Sequence, residues 1–405
     1  MNIAVAQSGG PTAAINASLA GVFTEALKCD EIKTVFGFKN GIDGVLRNDA
    51  VDLSDYLKTD EDVEVLKLTP STVLGSCRLK LKSFEESKEQ YEKILEVFES
   101  RDIGAFFYIG GNDSMDTVLK LSEYFRKIGK DIKVIGIPKT IDNDLVATDH
   151  TPGFGSAAKY IATTVAEIIR DSQVYALTSV TVIEIMGRDA GWLTAASSVL
   201  RTMGEDAPHL IYLPEVPVTK EKILSEIKEA HKQHKACVVA VSEGIKTPDG
   251  KYLAEDSLSG NVDVFGHKYL SGVGKYLENL ISRELSCKVR SVELNIMQRC
   301  SSHLASLTDI EESQQIGAAA VRHALSGNTG EMMVFVRKSD KPYEVEISSA
   351  DIKSIANKEK LFPREWINKE GNNIKDEALD YFMPLIQGEV SLFKKNGLPV
   401  HTIIK

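Results

Sequence analysis

Short runs rich in β-branched and aromatic residues recur along this chain, and the stretches between them carry apolar positions at helical spacing. The runs are Ile3–Gln7, Thr34–Phe38, Ile103–Ile109, Lys133–Pro138, Val180–Ile185, Leu210–Leu213, Cys237–Val241, Ser291–Ile296 and Met332–Val336. Strands alternating with helices predict βαβ units and a mainly parallel sheet. Ile15, Leu19, Val22, Phe23, Ala26 and Leu27 fall on one helix face, and Tyr160, Ile161, Val165, Ile168 and Ile169 on another, within a helix expected over 156–171. Both helices directly follow Gly-rich turns.

At 405 residues the chain exceeds what one hydrophobic core usually serves, so two domains are expected. No repeat, low-complexity tract or Gly/Ser linker divides it, which predicts interleaved domains with the chain crossing between them more than once. The expected fold class is α/β, two interleaved Rossmann-like three-layer domains with mainly parallel sheets. Residues 1–150 with about 297–335 would form the first domain and 151–296 the second. The more polar stretch 336–405 reads as a C-terminal extension packing on both. It contains a strand-like Tyr343–Ile347 and a Pro-bounded segment, Phe362–Ile367.

Composition narrows the setting. The five cysteines are scattered, with no C-x-x-C pair and no zinc spacing, and read as reduced thiols. The chain opens directly into Asn2-Ile3-Ala4-Val5, without a basic leader, and no apolar run approaches about 18 residues. A cytoplasmic protein that neither enters nor crosses a membrane is expected. A net charge of −10 repels nucleic-acid backbones, so any phosphate must be held by a local site.

Several loops can supply such a site. Ser8-Gly9-Gly10-Pro11-Thr12 ends the first strand and opens a helix, where backbone N–H groups and the positive helix end can face an anion. It matches neither G-x-G-x-x-G nor the Walker pattern. A second turn, Gly110-Gly111-Asn112-Asp113-Ser114, also joins a strand to a helical pattern containing Val118, Leu119 and Leu121. In a doubly wound sheet two such loops can converge on one crevice beyond the strand ends. After the fourth strand, Lys139, Thr140, Asp142, Asn143 and Asp144 crowd a hydroxyl, a lysine and two carboxylates into six residues. Phosphoryl transfer needs such groups: a cation on the moving phosphate, an acid residue to take the acceptor's proton, and carboxylate or water for a metal. Gly153-Phe154-Gly155-Ser156 and Met186-Gly187-Arg188 add further strand-end turns.

The order Ser8-Gly9-Gly10, Gly75-Ser76-Cys77-Arg78, Gly110-Gly111-Asn112-Asp113-Ser114, Pro138-Lys139-Thr140-Ile141-Asp142-Asn143-Asp144, Met186-Gly187-Arg188, Ser242-Glu243-Gly244 and Gln298-Arg299 resembles the phosphofructokinase family, from residue 1 to about 320. The resemblance implies the two-domain phosphofructokinase fold and transfer of a phosphoryl group to the 1-hydroxyl of fructose 6-phosphate. It implies Asp142 as general base, with Lys139 and Arg188 also catalytic, and Mg²⁺ positioned by Asp144 and Asn112. Gly9, Gly10, Arg78, Asp113, Ser114 and Lys139 would bind the donor. Thr140, Asp142, Asp144, Met186, Gly187, Arg188, Glu243, Arg290 and Arg299 would bind the sugar phosphate. Residue chemistry agrees: the arginines can form bidentate forks on phosphate oxygens, and Glu243 can accept from sugar hydroxyls.

Two positions bear on the donor. Members using ATP carry glycine where this chain has Asp113 and Lys139, and the pyrophosphate-dependent members resemble this chain in having an acid and a lysine. An aspartate about 4 Å from a nucleotide's α-phosphate costs roughly 4 kcal/mol at an effective dielectric near 20. Lys139 adds a cation for the more highly charged pyrophosphate and fills volume a nucleotide needs. The rivals are an ATP-dependent kinase of this or a related fold and a catalytically dead regulatory subunit on the same scaffold.

The sequence also departs from the family. Asn112 replaces the usual aspartate, Ser179 an arginine and Ile296 a histidine, leaving Arg290 and Arg299 of the usual 6-phosphate clamp. Sedoheptulose 7-phosphate is therefore a possible second acceptor, and Arg364 and His303 are candidate replacements. In the family, the arginine matching Arg290 reaches into a neighbour's site, which implies a homodimer or homotetramer with shared active sites. Trp192 and Trp366 are expected to pack, and His231 and His234 to lie on a solvated helix face.

Overall fold

The computed structural model describes residues 1–255 and 272–405. Eleven strands carry the architecture: β1 (Asn2–Gln7), β2 (Val35–Phe38), β3 (Ala50–Asp52), β4 (Ile103–Gly110), β5 (Lys133–Pro138), β6 (Ser179–Ile185), β7 (Leu210–Tyr212), β8 (Ala236–Ser242), β9 (Lys288–Glu293), β10 (Glu331–Asp340) and β11 (Tyr343–Asp351). They form a seven-stranded sheet ordered β11-β10-β5-β4-β1-β2-β3 and a four-stranded sheet ordered β7-β8-β6-β9. Every pairing in the smaller sheet is parallel, and in the larger one only β2–β3 and β10–β11 are antiparallel. The architecture is α/β with mainly parallel sheets, as the strand–helix alternation predicts.

Each sheet is buried on both faces, and the period-two direction of strand side chains sorts the residues between them. On one face of the large sheet, Ile3, Val5, Phe107 and Ile137 pack with helices α1 (Ile15–Ala26) and α4 (Leu307–Leu325). On the other, Ala4, Ala6, Phe106 and Val134 pack with helix Lys88–Ser100 and helix α2 (Asn112–Lys127). In the small sheet, Ile183, Ile185, Val238 and Ala240 face helix α3 (Phe154–Ser172), while Val180, Val182, Val239 and Val241 face Ile223, Ile227, Leu277 and Ile281.

The C-terminal stretch is divided between the two layers. β10 and β11 form an antiparallel hairpin on the edge of the large sheet, whereas Phe362, Ile367, Ile374 and Phe382 join the α3 core of the small one. Trp192 packs edge-on against Phe362 and Trp366 in that same cluster. The connection between domains is tied at α3: Asp309 at the start of α4 accepts from the Gly153 and Ser156 N–H groups at 2.9 and 3.0 Å.

Two expectations shift. The strand read as Ser291–Ile296 runs from Lys288 to Glu293, because Asn295 adopts a left-handed conformation (φ 45°) and starts a tight 3₁₀ turn. His234 lies beyond the helix Lys220–Ala230 and packs against His209, with ring centroids 4.0 Å apart and planes tilted by 42°, so it is not on a solvated helix face.

Candidate active site

β4 lies beside β1 on the side opposite β2, so the chain reverses direction across the sheet between β1 and β4. Loops at the carboxyl ends of such neighbours diverge and leave a crevice. The loop after β1 (Ser8–Pro11), the N-terminus of α2 and the loop after β5 line one side of a cleft of about 420 Å³. The loops after β6 and β8 supply Met186, Arg188 and Glu243 from the small sheet. The cleft thus joins the carboxyl ends of both sheets.

Gly9 has φ +77°, where only glycine is unstrained, and the carbonyl of Gly10 accepts the Lys139 ammonium at 2.6 Å. A Cβ on Gly9 would sit 3.2 Å from that nitrogen. Lys139 is 2% exposed, and its backbone N–H donates to Gly110 O at 3.0 Å, so it bridges both glycine turns. Burial pushes its pKa down to about 8, Arg299 adds to this, and Asp142 and Asp144 oppose it.

The carboxylate loop turns where the Thr140 hydroxyl accepts the Asp142 N–H at 3.1 Å. Burial raises the pKa of Asp142, with Glu243 adding to it and Lys139, Arg188 and Arg299 opposing; burial also raises that of Asp144, with Asp142 as the second cause. Glu243 is likewise raised by burial and receives the Gly187 N–H at 3.4 Å. The Met186–Arg188 loop lies so close to the next one that a Cβ on Gly244 would be 1.8 Å from Arg188 O. Arg188 Nε is buried without a hydrogen-bond partner among the described residues, an orphaned donor on a side chain that lines the cleft.

The structure brings most of the expected residues together. Gly9, Gly10, Arg78, Asn112, Asp113, Ser114, Lys139, Thr140, Asp142, Asp144, Met186, Arg188, Glu243 and Arg299 all line the cleft, and Gly187 shapes it from behind. Arg290 does not. It pairs with Asp171 at 2.6 Å beside Thr164, Glu167 and Thr181, in a separate depression. Asn112, expected at a metal, has both ends of its amide engaged elsewhere: Nδ2 donates to Lys358 O and Oδ1 accepts from Asn357 N–H, each at 2.7 Å. Asp113 is exposed and faces Lys80 at 3.3 Å, so its charge is partly balanced. Arg364 donates to Asn368 O at 3.3 Å, and neither it nor His303 lines the cleft.

Sequence reasoning missed Asp189 and Glu359, which also line the cleft. No spacing rule flags Glu359, because it arrives from the C-terminal stretch.

No helix among the described residues is long and apolar enough to cross a membrane. The chain matches the phosphofructokinase family over residues 2–324. It is 42% identical to the pyrophosphate--fructose 6-phosphate 1-phosphotransferase of Halomonas elongata, over 98% of this chain and 94% of that one. The enzyme of the same name from Xanthomonas campestris pv. campestris is 43% identical over 100% and 96%. The crystal structure of pyrophosphate-dependent phosphofructokinase from Marinobacter aquaeolei superposes with a TM-score of 0.87 at 38% identity, covering 99% of this chain and 95% of that one. Near-full-length similarity joins the cleft geometry in one conclusion: the chain belongs to the phosphofructokinase family.

Proposed function

We propose that this protein reversibly transfers a phosphoryl group from pyrophosphate to the 1-hydroxyl of fructose 6-phosphate, giving fructose 1,6-bisphosphate and phosphate. The observation that carries the reading is Lys139: a buried ammonium held against the carbonyl of Gly10, in the cleft that also contains Asp142. It puts a cation where the transferring phosphate must lie and fills space a nucleotide would need. The near-full-length relatives named for pyrophosphate support the same donor.

Asp142 takes the proton of the sugar 1-hydroxyl. Oxygen O1 then forms the new P–O bond as the bridging P–O bond of pyrophosphate breaks, and inorganic phosphate leaves with the bridging oxygen. Lys139 and Arg78 balance charge on the donor's phosphate oxygens, Arg299 binds the sugar phosphate, and the Arg188 guanidinium forks onto an oxyanion. Thr140, Met186, Gly187 and Glu243 hold the sugar.

The donor set fits a divalent cation. Desolvation holds the half-buried Asp142 and Asp144 toward the protonated state, with Glu243 adding to it at Asp142 and Asp142 at Asp144, and a cation relieves these penalties. Among the described residues no cluster of three His, Cys, Asp or Glu side chains is placed to hold a metal. A cation there depends on substrate phosphates for its remaining ligands, as Mg²⁺ sites commonly do. Asp144 would hold Mg²⁺, without Asn112, and the ion would neutralise phosphate charge.

With Lys80 beside Asp113, donor selection rests more on the Lys139 side chain than on repulsion by Asp113. The protein acts on small molecules in the cytoplasm as a homodimer or homotetramer. Arg290, turned away from its own cleft, serves a neighbour's sugar site, and sedoheptulose 7-phosphate is the second acceptor to test. Phosphorus NMR of the protein with Mg²⁺, pyrophosphate and fructose 6-phosphate checks the reaction. Loss of pyrophosphate with growth of a phosphate on sugar carbon 1 is expected. Unchanged pyrophosphate overturns the proposal.

A further inference from the structure

Between the two carboxylates of the β5 loop lies Asn143, fully buried and held in the left-handed conformation at φ 54°. Asparagine tolerates this conformation better than most non-glycine residues, and here its surroundings fix it there. The surroundings come from the C-terminal stretch, beyond the residues that match the family. Asn143 Nδ2 donates to the Tyr381 hydroxyl at 2.8 Å, and that hydroxyl donates to Asp149 O at 2.7 Å. The Lys360 ammonium donates to Asn143 Oδ1 at 3.3 Å, Thr148 O at 3.1 Å and Asp149 O at 2.7 Å, which uses all three of its N–H groups. The Lys360 backbone N–H also reaches Asp144 O at 2.7 Å.

This clamp is itself fixed. The Lys360 ammonium lies 4.9 Å from the centre of the Trp192 ring, and Trp192 Nε1 donates to Lys360 O at 3.0 Å. Arg337 donates to Tyr381 O at 3.2 Å and pairs with the Asp149 carboxylate at 2.9 Å. Neither Lys360 nor Tyr381 lines the cleft, so neither touches substrate directly.

We infer that Lys360 and Tyr381 are positioning residues: by gripping both ends of the Asn143 amide they set the orientation of Asp142 and Asp144 on either side of it. The inference rests on the reading of Asp142 as general base. Adjacent peptide units share dihedral angles, so a turn of Asn143 out of its left-handed conformation swings both carboxylates together. The two acids are thereby held as one rigid unit by a segment more than 200 residues away in sequence.

The test uses the full-length protein carrying Tyr381→Phe, which keeps the buried ring and removes only the hydroxyl. A misplacement of about 1 Å at a reacting group costs on the order of 10²-fold, so kcat is expected to fall about 10- to 100-fold. KM for pyrophosphate and for fructose 6-phosphate is expected to change much less than kcat, since Lys139, Arg78, Arg188 and Arg299, the cations on the phosphates, are untouched. Lys360→Met is the second variant and should behave alike. The deciding readout is coupling: in an Asn143→Gly background, where the side chain that is gripped is gone, Tyr381→Phe should cause little further loss of kcat.

Additive losses of kcat, an unchanged kcat, or a rise in KM alone would each overturn the inference, and Lys360→Met decides if Tyr381→Phe does not fold. Asp142→Ala, run alongside, separates the two levels. Its expected loss is about 10²–10⁴-fold. If Asp142→Ala stays active, the general-base reading fails; if it is inactive while the clamp variants are unaffected, only the clamp fails.

Discussion

At the scale of single residues, the cleft sets the carboxylates of Asp142, Asp144 and Glu243 among the cations of Arg78, Lys139, Arg188 and Arg299, with Asp113, Asp189 and Glu359 adding further acids to its lining. Most of these were legible in the sequence because each sits one to six residues past a recognisable strand, where the chemistry of a doubly wound fold collects. Lys360 and Tyr381 were not legible. Their contacts to Asn143 span 217 and 238 residues, and no local pattern distinguishes a clamping lysine from a surface one. The partners of Asn112 were hidden for a related reason: its type fits a metal site, while in the structure its amide bonds to the backbone of Asn357 and Lys358.

One residue-scale effect concerns stability. His209 Nδ1 accepts the Val238 N–H at 3.0 Å and so must be unprotonated. Burial, aided by the neighbouring His234 ring, pushes its pKa down to about 4 from 6.5. Between those values the unfolded chain binds the proton and the folded one does not, so this contribution is complete above 6.5 and is lost as pH falls toward 4. Urea unfolding at pH 7 and pH 5 should show a larger loss for wild type than for His209→Asn, whose amide oxygen can accept the same N–H. Parallel losses would show that His209 does not contribute.

At the scale of elements, strand and helix alternation predicted the sheets because each strand is an apolar run bounded by turn residues. The β9 boundary differs by three residues because a left-handed Asn295 ends the strand where alternating apolar positions, Val292, Leu294 and Ile296, continue the strand pattern. The short edge strand β3 escaped notice, since three residues carry too little periodicity to register. What positions the sugar side is the approach of the β6 and β8 loops. Gly244→Ala would set a methyl group 1.8 Å from Arg188 O, so one loop must move. Displacement near 1 Å predicts a fall in kcat/KM of about 10²-fold, and steady-state kinetics checks it. Near-wild-type kinetics would mean that the loops yield without disturbing Arg188.

At the scale of the whole molecule, the two sheets turn their carboxyl ends to a common cleft, and the C-terminal stretch is bonded into both layers. Arg290 alone among the expected sugar ligands faces elsewhere, and with Ser179 and Ile296 uncharged only Arg299 of the expected 6-phosphate clamp lines the cleft, so the proposed function calls for a second cation from another copy. Mixing Arg290→Ala protein with Asp142→Ala protein tests this, because a hybrid assembly can contain one site with both residues intact. Activity should reappear after subunit exchange. Exchange demonstrated by mass without recovery would mean that Arg290 serves its own subunit or none.

In the proposed function, the buried Lys139 side chain makes this cleft a pyrophosphate site. The most direct measurement is a competition: wild-type protein, Mg²⁺ and fructose 6-phosphate with equal pyrophosphate and ATP, following which donor disappears. Pyrophosphate should be consumed while ATP persists, and Lys139→Gly should lose most of that pyrophosphate use. Preferential consumption of ATP by the wild-type protein would rule out pyrophosphate as the donor this cleft selects.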